Sequence, residues 1–471
     1  MSELWKRSAV ELADNIRAKQ YKPSEVVASV LDRVTAHNEH LNAISYDLAD
    51  QARADAIAAD AQVASGQPLG PLHGVPVTIK ENIDQVGLPN PNGVPAFAEL
   101  MATEDAPLVA NLRRAGAIVI GRTNVPEFSM RGTTDNPLRG RTRNPWGDPI
   151  SPGGSSGGAG AACAVGMGPL HHGNDIGGSL RFPAMANGVT TVKPTSNRVP
   201  VFNSSATGER GPLAQVMSVQ GIIGRHAADV RLATSVMIEP DPRDPTSPPV
   251  PFEGPPVDGP ITVAVVTETA GYEMHEGIAA LMERASVQLA DAGYRVVQAS
   301  APPIIDAANG WFSTAATEME ATLLPPIREY GSETINEIFH NYFKMSQLLD
   351  RDGYIAAFAD RTRLMRDWNL FLDEHPLVLT PFMMRPMYDY DYDARGFDEV
   401  KDLFDSAIYS TGINYLGLPA GVIGMDLVEE RPAAVQVVGR RYREDLICDA
   451  MSAIEARNGV LAHRLWEHVD G

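Results

Sequence analysis

The stretch SPGGSSGGAGAACAVGMGPLHHGNDIGGSLRFP, residues 151–183, contains two serine-bearing glycine clusters. The first is GGSSGG, from Gly153 to Gly158, and the second is DIGGS, from Asp175 to Ser179. Glycine loses more backbone freedom on folding than any other residue, so a high density of glycine lowers the stability of the fold. It is tolerated where the backbone must turn sharply or donate N–H groups to a ligand. Serines at such turns indicate nucleophilic chemistry.

A serine nucleophile needs a base, and the sequence offers two kinds. His171 and His172 lie between the two clusters, in a stretch without a strand or cap pattern that would orient them. Upstream, GPLHGVPVTIKENID (residues 70–84) alternates apolar residues as a half-buried strand does, and Lys80 stands where that strand should end. A lysine that is desolvated or lies near positive charge loses its proton and becomes a base. The pattern therefore favours Lys80.

The GGSSGG cluster is also compatible with other interpretations. It satisfies G-x-S-x-G twice, centred on Ser155 and Ser156, as the nucleophile elbow of an α/β-hydrolase-like esterase does. That elbow requires an apolar strand immediately before it, whereas residues 141–152, RTRNPWGDPISP, form a proline-rich loop. The cluster also lacks the Gly-Lys-Ser/Thr ending of a phosphate-binding loop. The context therefore disfavours both alternatives.

Lys80, GGSSGG and DIGGSLRFP, in this order and spacing, closely resemble the amidase signature family of serine hydrolases. The resemblance is strong over residues 70–200, thinner at SVQGIIGR, NYLGLPAGV and VQVVGRR, and fades between them. It implies a Ser-cisSer-Lys triad in which Lys80 is the base and Ser179 is the nucleophile. Ser155 would be the bridging serine, on a cis peptide, and would pass the proton between the other two.

The resemblance also implies supporting roles around this triad. Asp175 and Arg181 are expected to form an ion pair that holds the second cluster, and Ser156 is expected to supply a supporting hydrogen bond. Glycines without side chains allow successive N–H groups to converge on one oxygen. The oxyanion hole would consist of the backbone N–H groups of Ile176, Gly177, Gly178 and Ser179.

The function implied by the resemblance is hydrolysis of an acyl C–N bond through an acyl-enzyme, without a metal or a cofactor. The substrate would be a small-molecule amide or acylhydrazide, since the length and the triad positions are similar to those of hydrazidases in the family. A glutamine amidase subunit of a tRNA amidotransferase is the alternative within the family. Two departures from the family pattern, Asn174 where threonine is common and residues 189–192, are not expected to touch the triad.

The composition excludes several classes of protein. A net charge of −20 argues against nucleic acid or an anionic membrane as a partner. The two cysteines, Cys163 and Cys448, cannot form a disulfide framework, which favours a reducing compartment and two core residues. The 11 histidines show no metal-binding spacing. The N-terminus has no apolar segment of the kind that a signal peptide contains, and no stretch approaches the length of a membrane span. We therefore expect a cytoplasmic protein, with homodimer formation left open.

The order of patterns along the chain predicts an α/β fold. A capping box at Ser8 and Glu11 opens the first helix, and further helices are predicted from Pro23 and over residues 47–65. A helix followed by glycine and a strand recurs at residues 106–120 and 278–299. Together with the resemblance, this predicts the amidase signature fold, with a mixed β-sheet core sandwiched between helices.

We expect a single amidase signature domain over residues 1–471. Its parts are N-terminal helices (1–66), the signature core (67–240), a proline-rich connector (241–260) and a C-terminal half (261–471) that completes the fold and the substrate pocket. Residues 301–375 are predicted to be helical and residues 384–397 to form a surface loop. The helical region offers four aromatic side chains for a substrate cleft, Trp311, Phe339, Tyr342 and Phe343.

Overall fold

The structure, a computed structural model, describes residues 3–469. Eleven strands from both halves of the chain join in one mixed sheet, in the order β1-β3-β2-β4-β6-β5-β10-β11-β9-β7-β8. Their bounds are β1 Ile44–Asp47, β2 Pro76–Lys80, β3 Ile118–Thr123, β4 Leu170–Asp175, β5 Thr190–Lys193, β6 Val219–Gly224, β7 Thr262–Val265, β8 Arg295–Gln298, β9 Leu377–Pro381, β10 Ala420–Val428 and β11 Arg431–Gly439.

The pairing of β2 with β4 brings the two sequence motifs together. The two strands are parallel neighbours, with Val77 opposite Leu170. Parallel strands end at the same edge of a sheet, so Lys80, the last residue of β2, and Asp175, the last residue of β4, lie at one edge. From β4 through β6, β5, β10 and β11 to β9 the pairing is antiparallel, and β9, β7 and β8 are parallel again.

Helices pack around this sheet, as the sequence predicted. Among the described helices none is long and apolar enough to cross a membrane. The α-helices are α1 Ala9–Arg17, α2 Pro23–Leu41, α3 Ala49–Ser65, α4 Pro107–Arg114, α5 Gly157–Val165, α6 Arg181–Asn187, α7 Pro212–Met217, α8 Ala227–Met237, α9 Glu276–Asp291, α10 Ile304–Thr322, α11 Leu324–Tyr330, α12 Glu333–Met345, α13 Arg351–Glu374, α14 Phe397–Ser406, α15 Ile408–Leu416, α16 Glu444–Asn458 and α17 Leu461–Val469.

The predicted helix starts are confirmed with one correction. Ser8 and Glu11 form the capping box that opens α1, and α10 to α13 occupy the region predicted to be helical. The third helix begins at Ala49, whereas Asp47 is the last residue of β1. The Asp47 carboxylate accepts the N–H of Ala49 at 2.8 Å, so this residue caps the helix from outside instead of entering it.

The first glycine cluster leads into a helix that is buried along its whole length, α5. A Cβ atom on Gly158 would lie 2.6 Å from the carbonyl oxygen of Ala43 and 2.6 Å from the amide nitrogen of Asn124. A helix of glycine and alanine can approach neighbouring backbone this closely. Cys163 is a buried free cysteine of α5 and Cys448 is one of α16, which confirms that both are core residues.

The segment 384–397 is partly buried, and only Arg395 in it is exposed, which corrects the prediction of a surface loop. Tyr388 is 1% exposed, and its hydroxyl donates to the carbonyl oxygen of Gly132 at 2.6 Å. The carboxylate of Asp393 is also buried and forms an ion pair with Arg131 at 2.9 Å. The polar groups of Tyr388 and Asp393 suggested a solvated segment. They are instead paired inside the protein, with Gly132 and Arg131. The segment also pairs with residues 149–151, which lie just before the first glycine cluster.

Candidate active site

Lys80 lies at the carboxyl end of β2 and is fully buried. Its Nζ is 2.7 Å from the Oγ of Ser155 and 2.7 Å from the Oδ1 of Asn174. Burial lowers the pKa of Lys80 well below its ordinary value, and the negative charge of Asp175 opposes this lowering only in part. A buried lysine with a lowered pKa can accept a proton from a neighbouring hydroxyl.

Asn174 touches Lys80, and the prediction that this departure from the family pattern lies away from the triad was therefore wrong. The side-chain oxygen of Asn174 accepts from Nζ, while its Nδ2 donates to the Oδ1 of Asn82 at 3.0 Å. Asn82 donates in turn to the hydroxyl of Ser129 at 3.0 Å. Because an amide oxygen only accepts, Asn174 occupies one N–H of the lysine. The lone pair of the neutral amine is left for Ser155.

Ser155 is held by tight backbone packing. It follows Gly154 through a cis peptide bond and is 1% exposed. A Cβ atom on Gly154 would lie 2.1 Å from the carbonyl oxygen of Arg131, so only glycine fits there. Residues 141–152 form a loop and not a strand, as expected, which removes the context of an α/β-hydrolase elbow. The neighbouring Ser156 is buried, and its hydroxyl lies 3.5 Å from the carbonyl oxygen of Asn174, at the limit of a hydrogen bond.

The loop after β4 carries Ser179 and contributes residues to the wall of a pocket. Within residues 3–469 the N–H groups of Ile176, Gly177 and Ser179 donate to no protein acceptor, and these three residues line the pocket. Gly178 differs from the prediction, because its N–H donates to the Oδ1 of Asp175 at 2.8 Å. The predicted oxyanion donors are thereby reduced to three. Three N–H groups on a pocket wall can stabilise negative charge on a substrate oxygen.

Asp175 and Arg181 form a fully buried ion pair beneath this loop, with Oδ2 and Nε 3.0 Å apart. Burial raises the pKa of Asp175, but the charge and hydrogen bonds of Arg181 outweigh it and lower the pKa to about 2. Asn414 donates to the same carboxylate at 3.0 Å, and Gln436 accepts from Arg181 at 2.9 Å. Both amides lie in NYLGLPAGV and VQVVGRR, segments of the family resemblance to which the sequence assigned no role.

Replacing Asp175 by asparagine is expected to lower the free energy of unfolding by about 3–5 kcal/mol, because Arg181 would stay buried without its counter-charge. Since the pKa of Asp175 is depressed, its contribution to stability is present above about pH 4 and is lost as the pH falls toward about 2. Urea unfolding of both proteins at about pH 7 and about pH 3 should show the difference shrinking at the lower pH.

Asp426→Asn is the control for this comparison. The Asp426 carboxylate is 32% exposed and pairs with Arg284 at 2.8 Å and Arg464 at 2.6 Å. Ion pairs near the surface contribute less than about 1 kcal/mol. Equal losses of stability in the two variants would contradict a special role for the buried pair under the loop.

The two histidines prove to belong to a strand, β4, and not to an irregular linker. The Nδ1 of His171 is 2.9 Å from the hydroxyl of Thr78 and its Nε2 is 3.1 Å from the carbonyl oxygen of Gly168. The Nε2 of His172 is 3.0 Å from the Oε1 of Gln220. Burial lowers the pKa of both rings to about 3. These ring nitrogens bond to Thr78, Gly168 and Gln220, whereas the Nζ of Lys80 contacts Ser155, so the preference for Lys80 as the base has a physical basis.

The pocket beside Ser179 has a mainly apolar and aromatic wall. Arg131 is the charged residue of the wall, and its guanidinium is paired with Asp391 and Asp393. All four aromatic residues predicted for a cleft lie in this wall. Its aromatic residues are Phe182, Trp311, Phe312, Phe339, Tyr342, Phe343 and Phe404.

A comparison with protein-family models matches residues 25–448 of this chain to the amidase family. The chain belongs to the amidase signature family. An indoleacetamide hydrolase of Bradyrhizobium diazoefficiens is 47% identical to this amidase over 99% of the chain and 89% of the relative. A glutamyl-tRNA(Gln) amidotransferase subunit of Moorella thermoacetica is 30% identical over 96% of the chain and 97% of the relative.

The fold of this amidase is also similar to that of a solved bacterial aryl acylamidase. The TM-score is 0.84 at 25% identity, over 99% of this chain and 98% of the other. The enzyme is an amidase-type hydrolase that acts on non-peptide amides. Within residues 3–469 no group of three or more histidine, cysteine, aspartate or glutamate side chains is arranged to hold a metal ion.

Proposed function

We propose that this amidase hydrolyses the amide of an arylacetic acid, with Ser179 as nucleophile, Ser155 as bridging serine and Lys80 as base. The observation that carries the proposal is the position of Ser179. It belongs to a loop that lines an aromatic pocket and carries three N–H groups without an acceptor among residues 3–469. The acyl group of the substrate would occupy the pocket, and its carbonyl oxygen would accept from these N–H groups.

The reaction would begin with transfer of the Ser179 proton to Ser155, as Ser155 passes its own proton to neutral Lys80. The Ser179 Oγ then bonds to the carbonyl carbon, and the N–H groups of Ile176, Gly177 and Ser179 stabilise the oxyanion. Collapse of this intermediate breaks the C–N bond, while the proton returns through Ser155 to the leaving nitrogen. Water then hydrolyses the acyl-enzyme by the same relay and regenerates Ser179.

The supporting evidence for the relay is the contact between Lys80 and Ser155. The distance of 2.7 Å between Nζ and Oγ is that of a hydrogen bond, and both groups are buried. Water that would compete for the lysine is therefore excluded, and the lowered pKa of Lys80 makes the amine a base. The buried pair of Asp175 and Arg181 would hold the nucleophile loop without taking part in proton transfer.

The proposed substrate class follows from the character of the wall. Its aromatic rings suit a flat apolar acyl group, which agrees with the activity of the 47% identical relative on indoleacetamide. Burying one aromatic group contributes about 1.5–3 kcal/mol, which corresponds to roughly 10- to 150-fold in kcat/KM. An acylhydrazide of the same acid would present the same acyl group with hydrazine as the leaving group.

Glutamine amidase activity within an amidotransferase complex is the second candidate, because relatives that belong to such complexes match almost the whole chain. Free glutamine carries an ammonium and a carboxylate, and each would need an opposite charge in the pocket. Arg131 is the charged residue of the wall and is already paired with two aspartates. The aromatic wall therefore favours a neutral aromatic substrate over glutamine.

The test is a comparison of substrates with the purified chain alone, with products detected by mass. Indoleacetamide and phenylacetamide are expected to exceed acetamide in kcat/KM by roughly 10- to 150-fold. Phenylacetic hydrazide shows whether hydrazine is an acceptable leaving group. Glutamine should not be turned over. Equal rates for acetamide and arylacetamides, or glutamine turnover that requires added partner proteins, would contradict the proposal.

A further inference from the structure

Trp311 lies between the substrate pocket and the nucleophile loop. Its indole Nε1–H donates to the carbonyl oxygen of Ile176 at 2.8 Å. Its ring lines the pocket, and a Cβ atom on Gly177 would lie 2.9 Å from the Cζ2 of the ring. Trp311 belongs to α10, in the part of the chain where the family resemblance fades. A residue outside the motif therefore contacts the loop that carries the oxyanion donors.

The contact fixes the direction of one of those donors. In a trans peptide the C=O and the following N–H lie in the peptide plane and point in opposite directions. Anchoring the carbonyl of Ile176 to the indole therefore turns the N–H of Gly177 away from Trp311. That N–H has no acceptor within residues 3–469. The indole thus fixes the orientation of the peptide between Ile176 and Gly177, and the N–H of this peptide is a candidate oxyanion donor.

A second anchor acts on the next peptide of the loop. The hydroxyl of Ser410, on α15, donates to the carbonyl oxygen of Gly177 at 2.9 Å. The N–H of that peptide belongs to Gly178 and is bound by Asp175. Both carbonyl groups of Ile176 and Gly177 are therefore tied down from the C-terminal half of the chain, so neither peptide can rotate freely.

An apolar wall alone does not require a tryptophan at this position. The neighbouring wall residues Phe312 and Phe404 provide aromatic surface without a hydrogen-bond donor. Trp368 is 1% exposed in the same core cluster, and among the described residues its Nε1 has no hydrogen-bond partner. Burial of an indole in this chain therefore does not by itself provide its N–H with an acceptor. Trp146 and Trp466 do donate to backbone carbonyl oxygens, of Asn187 and Ala164, but of the tryptophans in residues 3–469 only Trp311 donates to the nucleophile loop.

We propose that Trp311 is a positioning residue that orients the oxyanion donors through its hydrogen bond to the Ile176 carbonyl. This inference rests on the proposed role of the Ser179 loop. The aromatic acyl group of the substrate would then contact the same indole that holds the loop. The pocket wall and the catalytic loop would be linked through one residue.

Trp311→Phe tests the proposal, because it keeps an aromatic ring and removes the N–H. We expect kcat for phenylacetamide to fall about three- to tenfold, with KM changed by less than about twofold. Benzyl trifluoromethyl ketone forms a tetrahedral adduct with a serine hydroxyl, and its affinity should fall by the same factor as kcat. Phenylethanol has the aromatic group without a carbonyl, and its affinity should not change.

Trp368→Phe is the matched control and should leave kcat, KM and both affinities at wild-type values. Thermal unfolding reveals whether Trp311→Phe folds; if it does not, Trp311→Leu takes its place, and its affinity for the ketone should fall about three- to tenfold more than its affinity for phenylethanol. Wild-type kcat in a folded Trp311→Phe protein, or equal losses of the two affinities in Trp311→Leu, would overturn the proposal. An increase in KM alone would also overturn it. Inactivity of the wild-type enzyme on arylacetamides, or full activity of Ser179→Ala, would instead refute the proposed function.

Discussion

Replacing Ser179 by alanine is expected to lower kcat for an arylacetamide by at least about 10⁴-fold. The substitution removes the oxygen that would form the acyl-enzyme, and the oxyanion donors and the pocket supply only a small residual rate. The fold should be retained, because Ser179 is half-buried on a loop and one hydroxyl is removed. Steady-state kinetics and thermal unfolding of the purified variant measure the two effects.

A covalent label distinguishes the nucleophile from the bridging serine. A sulfonyl fluoride should add to the wild-type enzyme at Ser179, and peptide mapping by mass should place the label on the segment after β4. The Ser179→Ala protein should not be labelled. Ser155→Ala should also lose most activity, because the relay to Lys80 is interrupted. Near-normal turnover in Ser179→Ala together with inactivity of Ser155→Ala would reverse the proposed roles.

The parts of the site that the sequence predicted are those carried by short contiguous motifs. Lys80 ends a strand with a clear alternating pattern, and the two serines stand in dense glycine clusters. The buried pair of Asp175 and Arg181 is also local, since only five residues separate its members along the chain. Each of these motifs is local and can be recognised without knowledge of the fold, whereas the assignment of Lys80, Ser155 and Ser179 to one triad came from the family resemblance.

The parts that the sequence did not predict depend on strand pairing or on distant segments. Strand β4 contains histidines, glycine and asparagine, which do not form an apolar alternating pattern, and its identity as a central strand became clear only from its neighbours. The contact of Asn174 with Lys80 follows from that pairing. Trp311 was expected in a cleft because it is aromatic, but its bond to Ile176 spans 135 positions of the chain. A contact between residues so far apart leaves no pattern within any short stretch of the sequence.

Replacing Lys80 by arginine is expected to abolish turnover almost as completely as replacing it by alanine. A guanidinium stays protonated and cannot accept the serine proton. In the wild-type enzyme, burial keeps the pKa of Lys80 well below its ordinary value of 10.5. The unprotonated amine is the active form, so activity should rise with pH through that lowered pKa and persist on the alkaline side. Turnover of wild type and Lys80→Arg from about pH 5 to about pH 10 measures both effects.

Comparison of Lys80→Met with Lys80→Arg separates the basic amine from the positive charge. Methionine keeps an unbranched side chain and has neither property, whereas arginine keeps the charge. The folded pKa of Lys80 is lowered, so below the unfolded pKa the unfolded chain binds more protons than the folded one, and stability falls as the pH falls. Methionine has no proton to bind, so the variant should be inactive yet lose less stability than wild type between about pH 9 and about pH 6. A base role predicts that both variants are inactive. Substantial activity of Lys80→Arg beside an inactive Lys80→Met would mean that the lysine acts only through its positive charge, and the relay through Ser155 would have to be abandoned.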